Sequence, residues 1–150
     1  VIAPRGRRLG IDVGSVRVGV AVCDPDGILA TPVETVQRTS DDADVRRIAV
    51  IAAEYEVVQV VIGLPRTLRN TEGAAVEAAR AFGEAIAAAI DPVPVIYHDE
   101  RLTTVTAAGA LRASGRKGKA ARAVIDQAAA VAILQGWLDT HRSGGWGASD

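Results

Sequence analysis

The chain has 150 residues, 49% of them hydrophobic, which is enough to bury one sizeable core but not two. No run reaches the roughly 18 apolar residues that cross a bilayer, and the opening VIAPRGRRLG lacks the apolar core of a signal peptide, so a cytoplasmic protein with no membrane partner is expected. A net charge of −1 excludes a uniformly basic, polyanion-binding surface, and a lone cysteine, Cys23, excludes an internal disulfide or a cysteine-based metal cluster.

Residues 7–13 alternate, with Leu9, Ile11 and Val13 on one face and Arg8, Gly10 and Asp12 on the other, which predicts a strand broken by Gly14. Val16, Val18, Val20 and Val22 repeat that period, DPDG at 24–27 is a turn, and residues 28–37 are extended around Pro32. Three strands with short connections predict an antiparallel meander. Cys23 then reads as a small buried strand residue, with an intermolecular disulfide as the alternative.

Ser40 is a suitable N-cap for a helix over 41–54, in which Val45, Ile48, Ala49, Ala52 and Tyr55 recur at helical spacing. The nearly continuous apolar run 57–62 predicts a strand buried on both faces. Val76, Ala79, Phe82, Ile86 and Ile90 mark a second helix opened near Thr71, and 93–97 is a last short strand. A further helix is expected from Thr103, and a long alanine-rich one over 120–138. One domain therefore occupies 1–142, with SGGWGASD at 143–150 as an unstructured tail. The order β-β-β-α-β-α-β-α-α calls for an α/β fold: a mixed five-stranded sheet flanked by helices, with the fourth and fifth strands parallel to the first.

Three carboxylates carry the chemistry. Asp12 lies between Gly10 and Gly14, glycines that leave a ligand room to approach, although a turn-forming acid at a strand end fits the same spacing. Asp126 shares a helix face with Ala129, Ala130, Ile133 and Trp137, so it needs a cation, donors or a metal there, unless it serves the helix dipole or pairs with Arg122. Glu100, in HDERLTT, follows the fifth strand at the carboxyl edge of the sheet, where α/β folds collect ligands, or else pairs with Arg101. In this topology the three acids can converge on one or two divalent ions. His98 reads as a strand-end histidine satisfied by its neighbours, with a base or proton shuttle as the alternative.

The positive charge is uneven. Arg112, Arg116, Lys117, Lys119 and Arg122 fill one stretch without acids, while Asp41, Asp42, Asp44, Glu54 and Glu56 gather elsewhere. A basic face of that kind can grip a polyanion, with Arg17, Arg66 and Arg69 as further candidates. Arg66 and Arg69 lie in GLPRTLRNTEG at 63–73, between a strand and a helix N-terminus, a setting that suits a phosphate or is simply a solvated connection.

Four segments together, GIDVGSVRVGVAV at 10–22, VIGLPRTLRNTEG at 61–73, HDERLTT at 98–104 and GKAARAVIDQAAAVAILQGWL at 118–138, resemble the YqgF/RuvX family in order and spacing. The resemblance covers about residues 7–140. It implies a ribonuclease-H-like fold with strand order 3-2-1-4-5 and a nuclease that uses Mg²⁺ or Mn²⁺. Carried over by position, the family's acidic triad falls on Asp12, Glu100 and Asp126, as catalytic and metal-binding residues. The implied partner is structured RNA, in pre-16S rRNA maturation, or branched DNA, as a Holliday junction resolvase. Cutting a junction symmetrically would require a two-fold homodimer. The sequence departs from the family after Pro65, where RTLRN replaces a segment close to LNMDG and removes its acid and glycine.

Two other classes fit parts of the chain. The DxGS pattern at Asp12 also resembles the phosphate loop of actin-like ATPases, which need a second lobe to enclose the nucleotide. A catalytically idle nucleic-acid-binding module would not need the acidic triad at all.

Overall fold

The computed structural model describes residues 5–64, 73–99 and 118–141, with the side chains of the last segment from Val124 onward. Strands β1 (Arg8–Val13), β2 (Arg17–Cys23), β3 (Ala30–Gln37), β4 (Gln59–Leu64) and β5 (Val95–Asp99) form one sheet in the order β3-β2-β1-β4-β5. The first three strands pair antiparallel, whereas β4 lies parallel to β1 and β5 parallel to β4. Helices α1 (Ala43–Tyr55), α2 (Ala74–Ile90) and α3 (Gly118–His141) complete the described chain.

Strand alternation divides the core of this one domain into two layers, one on each face of the sheet. Leu9, Ile11, Val18, Val20, Val60 and Ile62 bury themselves with Ile48 and Ile51 of α1 and Phe82 and Ile86 of α2. On the opposite face Ala21, Cys23 and Val61 meet Ala130, Ile133, Leu134, Trp137 and Leu138 of α3. The small residues of β2 and the alanines of α3 thus meet each other, and the larger valines of β2 point the other way.

Several boundaries differ from the sequence reading. Ser40 does not cap α1: the N-cap is Asp42, at φ 64°, with no side-chain cap bond. The helix entry is tied instead by the buried Asp44, whose carboxylate accepts Thr39 N–H at 3.1 Å while its own N–H donates to Thr39 Oγ1 at 3.1 Å. Ile28 and Leu29 are not in β3, because Asp24 Oδ1 accepts both their N–H groups, at 2.9 and 2.7 Å, and draws them into a loop. Pro32 accompanies a register shift between Val20 and Ala21 of the partner strand.

The fourth strand starts later than expected. Val57 N–H still closes onto Ala52 O of α1 and Val58 N–H onto Arg7 O, so both serve the connection. Likewise β5 runs on to Asp99, because its parallel register pairs His98 with Gly63 and Asp99 with Leu64. The second helix begins at Ala74 with Gly73 as its N-cap, and the last helix extends three residues past the expected 138. Thr71, the helix expected from Thr103 and the tail from Ser143 lie outside the described residues.

Cys23 is a buried strand residue: it is 1% exposed, and its Sγ accepts Arg8 N–H at 3.3 Å. Burial pushes its thiol up from the usual value. Iodoacetamide should therefore leave Cys23 unlabelled in native protein over a time in which unfolded protein is fully labelled. Mass spectrometry reads the difference, and equal labelling of the two would contradict this packing.

Candidate metal and nucleic-acid site

The site grows from one row of the sheet. Asp12 of β1 is paired in register with Gly19 of β2, and Gly19 in turn with Thr35 of β3. Residues paired across a ladder share a face, so all three lie on the side that α3 covers. Gly19 is where the helix lands: a Cβ built there would stand 2.0 Å from the carbonyl oxygen of Asp126 and 2.5 Å from its carbonyl carbon. Only glycine permits that approach. The next helical residue, Gln127, fixes the landing by donating from Nε2 to Thr35 Oγ1 at 3.1 Å.

This seat places Asp126 beside the strand pair that carries Asp12. The Asp126 carboxylate is met by the Arg17 guanidinium, Nε to Oδ2 at 2.7 Å, with both side chains 23% exposed. Arg17 belongs to the same α3-facing row of β2 as Gly19, Ala21 and Cys23. The Arg122 side chain, four residues before Asp126 and its expected partner, lies outside the described side chains, whereas Arg17 reaches the carboxylate from a strand 109 residues away.

The two glycines around Asp12 serve packing and not ligand access. A Cβ at Gly10 would meet Leu134 Cβ at 2.6 Å and Ala130 O at 2.9 Å, so the space is filled by α3. A Cβ at Gly14 would meet Arg17 O at 2.7 Å, inside the tight turn closed by Gly14 N–H to Arg17 O at 2.9 Å. Arg38 braces that turn from outside: its Nη1 donates to Gly14 O at 2.8 Å and its Nε to Asp44 at 3.3 Å, with its guanidinium 4.8 Å above Phe82. No local pattern in the sequence marked Arg38 or Asp44 for this task.

Glu100 lies outside the described residues. The strand before it, β5, runs two residues past the expected 97 and ends at Asp99, beside Leu64 at the carboxyl end of a parallel pair. Arg66, Arg69, Arg112, Arg116 and Lys117 also lie outside, while Lys119 and Arg122 fall on the α3 turns that precede Asp126. Among the described residues no three of His, Cys, Asp or Glu cluster as a metal cage. Asp12 and Asp126, on one face, carry the hard oxygen donors that a divalent ion such as Mg²⁺ prefers.

His98 departs from expectation. It lies beside Ile96 on the α3 face of β5, only 4% exposed, and its Nε2 is buried with no hydrogen-bond partner among the described residues. Burial holds its pKa below the ordinary histidine value, with Asp99 opposing the shift. Sequence reasoning also passed over Arg8, which is fully buried: its Nε donates to Gln59 Oε1 at 2.7 Å, and its guanidinium sits 5.0 Å from the ring of Trp137. Trp137 is further stacked on His141 at 4.0 Å, so it is structural and offers no face to a base.

Residues 6–140 match the family model of RuvX, described as Holliday junction resolvase. The chain belongs to the RuvX family. This RuvX protein is 64% identical over 139 residues to a Rhodococcus opacus protein named "Putative pre-16S rRNA nuclease", across 90% of this chain and 78% of that one. A Nocardia farcinica protein of the same name is 61% identical over 141 residues, again across 90% and 78% of the two chains. Among solved structures, Thermus thermophilus RuvC in complex with Holliday junction substrate superposes with a TM-score of 0.59 at 20% identity, covering 93% of this chain and 96% of that one. That likeness is one of fold, the ribonuclease-H-like sheet in the order expected from the motifs. Family and relatives together make this RuvX protein a nuclease, a hydrolase of phosphodiester bonds.

Proposed function

We propose that this protein is a cytoplasmic, metal-dependent nuclease that matures the 5′ end of pre-16S rRNA, with Asp12, Glu100 and Asp126 as its metal-holding carboxylates. The observation that carries the site is the seat of α3 on Gly19, which sets Asp126 against the strand partner of Asp12 on one face of the sheet. A divalent ion held there supplies Lewis acidity and an acidified water. The chain's own contribution is to hold the two carboxylates in register: Asp12 on a strand whose hairpin Arg38 braces, Asp126 on a helix pinned through Gln127 to Thr35. Arg112, Arg116, Lys117, Lys119 and Arg122 would place the phosphate backbone, with Arg66 and Arg69 contributing from the β4–α2 connection.

The names of the relatives favour ribosomal RNA as the substrate. A second reading is cleavage of four-way DNA junctions by a two-fold dimer, supported by the description of the family model. Offered a ribosomal-precursor leader, a four-way junction and matching linear duplexes with Mn²⁺, the protein should cut the structured RNA preferentially. Asp12→Asn, run in parallel, excludes a contaminating nuclease. Paired symmetric incisions in the junction with the RNA left whole would reverse the assignment, and cutting of neither would favour a binding module without turnover.

A further inference from the structure

The sequence suggested Arg17 as a backbone-gripping cation, yet its recorded contact is with Asp126. Three features show what kind of contact this is. It is made by a single nitrogen, Nε to Oδ2 at 2.7 Å, whereas Arg47 and Glu34 form a two-pronged pair, Nε to Oε2 at 2.8 Å and Nη2 to Oε1 at 2.6 Å. Both partners keep 23% of their side chains exposed, so the pair is sheltered but open to solvent on one side. The Arg17 backbone, by contrast, is fixed: its carbonyl accepts Gly14 N–H, the neighbouring Val16 carbonyl accepts Arg38 N–H, and Arg38 holds Gly14 O from outside. The side chain is held by the single Nε contact.

We infer that Arg17 is an exchangeable counter-ion of Asp126: it neutralises the carboxylate before a divalent cation is bound, yields it to the cation, and turns its guanidinium to the substrate phosphate. The inference rests on the reading of Asp126 as a metal ligand. Its physical basis is electrostatic competition, because a guanidinium paired with the carboxylate already balances its charge, and a positive charge beside the site opposes binding of another. A one-nitrogen contact is cheaper to give up than a bidentate pair. An arginine released on a braced turn stays close enough to meet a phosphate, for which its planar fork is suited. Arg17 is therefore a positioning residue toward the carboxylate first and a substrate contact second.

The test is a calorimetric titration of Mn²⁺ into wild type, Arg17→Gln, Arg17→Lys and Asp126→Asn, with melting followed in EDTA and in saturating Mn²⁺. Arg17→Gln should bind Mn²⁺ about tenfold more tightly, because the competing charge is gone. Arg17→Lys, which keeps the charge, should stay within about threefold of wild type. Arg17→Gln should also melt lower than wild type in EDTA and gain more from Mn²⁺, as tighter binding to the folded state requires. In Mn²⁺ its affinity for RNA should fall, with the slope of log affinity against log salt smaller by about one. Unchanged or weaker Mn²⁺ binding by folded Arg17→Gln overturns the exchange. Wild-type Mn²⁺ affinity in Asp126→Asn overturns the metal-site reading beneath it, so the two failures are told apart.

Discussion

Asp12→Asn and Asp126→Asn should each lower metal-dependent cleavage on the order of a thousandfold, equivalent to roughly 4 kcal/mol of lost transition-state stabilisation. The substitutions are isosteric and remove charge alone. At Asp126 the amide oxygen can still accept the Arg17 Nε–H, and the α3 seat depends on the backbone at Gly19, so the fold should persist within about 1 kcal/mol. Single-turnover cleavage alongside thermal melting checks both halves. An Asp126→Asn protein that retains full activity would sink the site assignment, and one that fails to melt cooperatively would show that the carboxylate is structural.

Gly19→Ala should damage stability and activity together. Its Cβ would stand 2.0 Å from Asp126 O, a separation that carbon and oxygen do not tolerate, and the obstacle is helix backbone, which cannot turn aside as a side chain would. The helix must lift from the sheet, and we expect a loss of about 3 kcal/mol, or roughly 6–12 °C in melting temperature for a chain of this size. Because the lift carries Asp126 away from Asp12, and misplacement by about 1 Å costs on the order of a hundredfold, turnover should fall further than the melting point suggests. Gly73→Ala is the control, since a Cβ there meets nothing within 4 Å. Equal behaviour of the two variants would falsify the helix seat.

The sheet was legible because β1 and β2 alternate cleanly and β4 reads as a continuous apolar run, and the parallel placement of β4 and β5 followed from helical connections. Strand ends were less so: Val57 and Val58 are as apolar as true strand residues, but their N–H groups are spent on Ala52 and Arg7. The α1 cap was missed because Ser40 is a good cap by type, whereas the entry is settled by Asp44 reaching back to Thr39, a contact no local rule anticipates. At the site, Asp126 was legible as an acid on a packing face. Its partner was not, since Arg17 is brought to it only by the tertiary fold.

The glycines show the limit most clearly. A sequence records a missing side chain but not what fills the space, so Gly10 and Gly14 read as access for a ligand when helix and turn occupy them. Gly19 went unremarked, although it begins the row Gly19, Ala21, Cys23 of small residues that alternate with valine and face an alanine-rich helix. That pairing of small with small was the available signal for a close approach.

The helix seat also has a consequence for the order in which the chain is made. Asp12 and Gly19 leave the ribosome early, on a hairpin that can close locally, whereas Asp126 arrives only with the last described helix. Until α3 docks, the nascent chain presents Asp12 alone of the two described carboxylates of the proposed site, without the one that Arg17 holds. On the proposed reading, a nuclease synthesised amid ribosomal RNA acquires its edge last, at the step that also closes the core layer beneath α3.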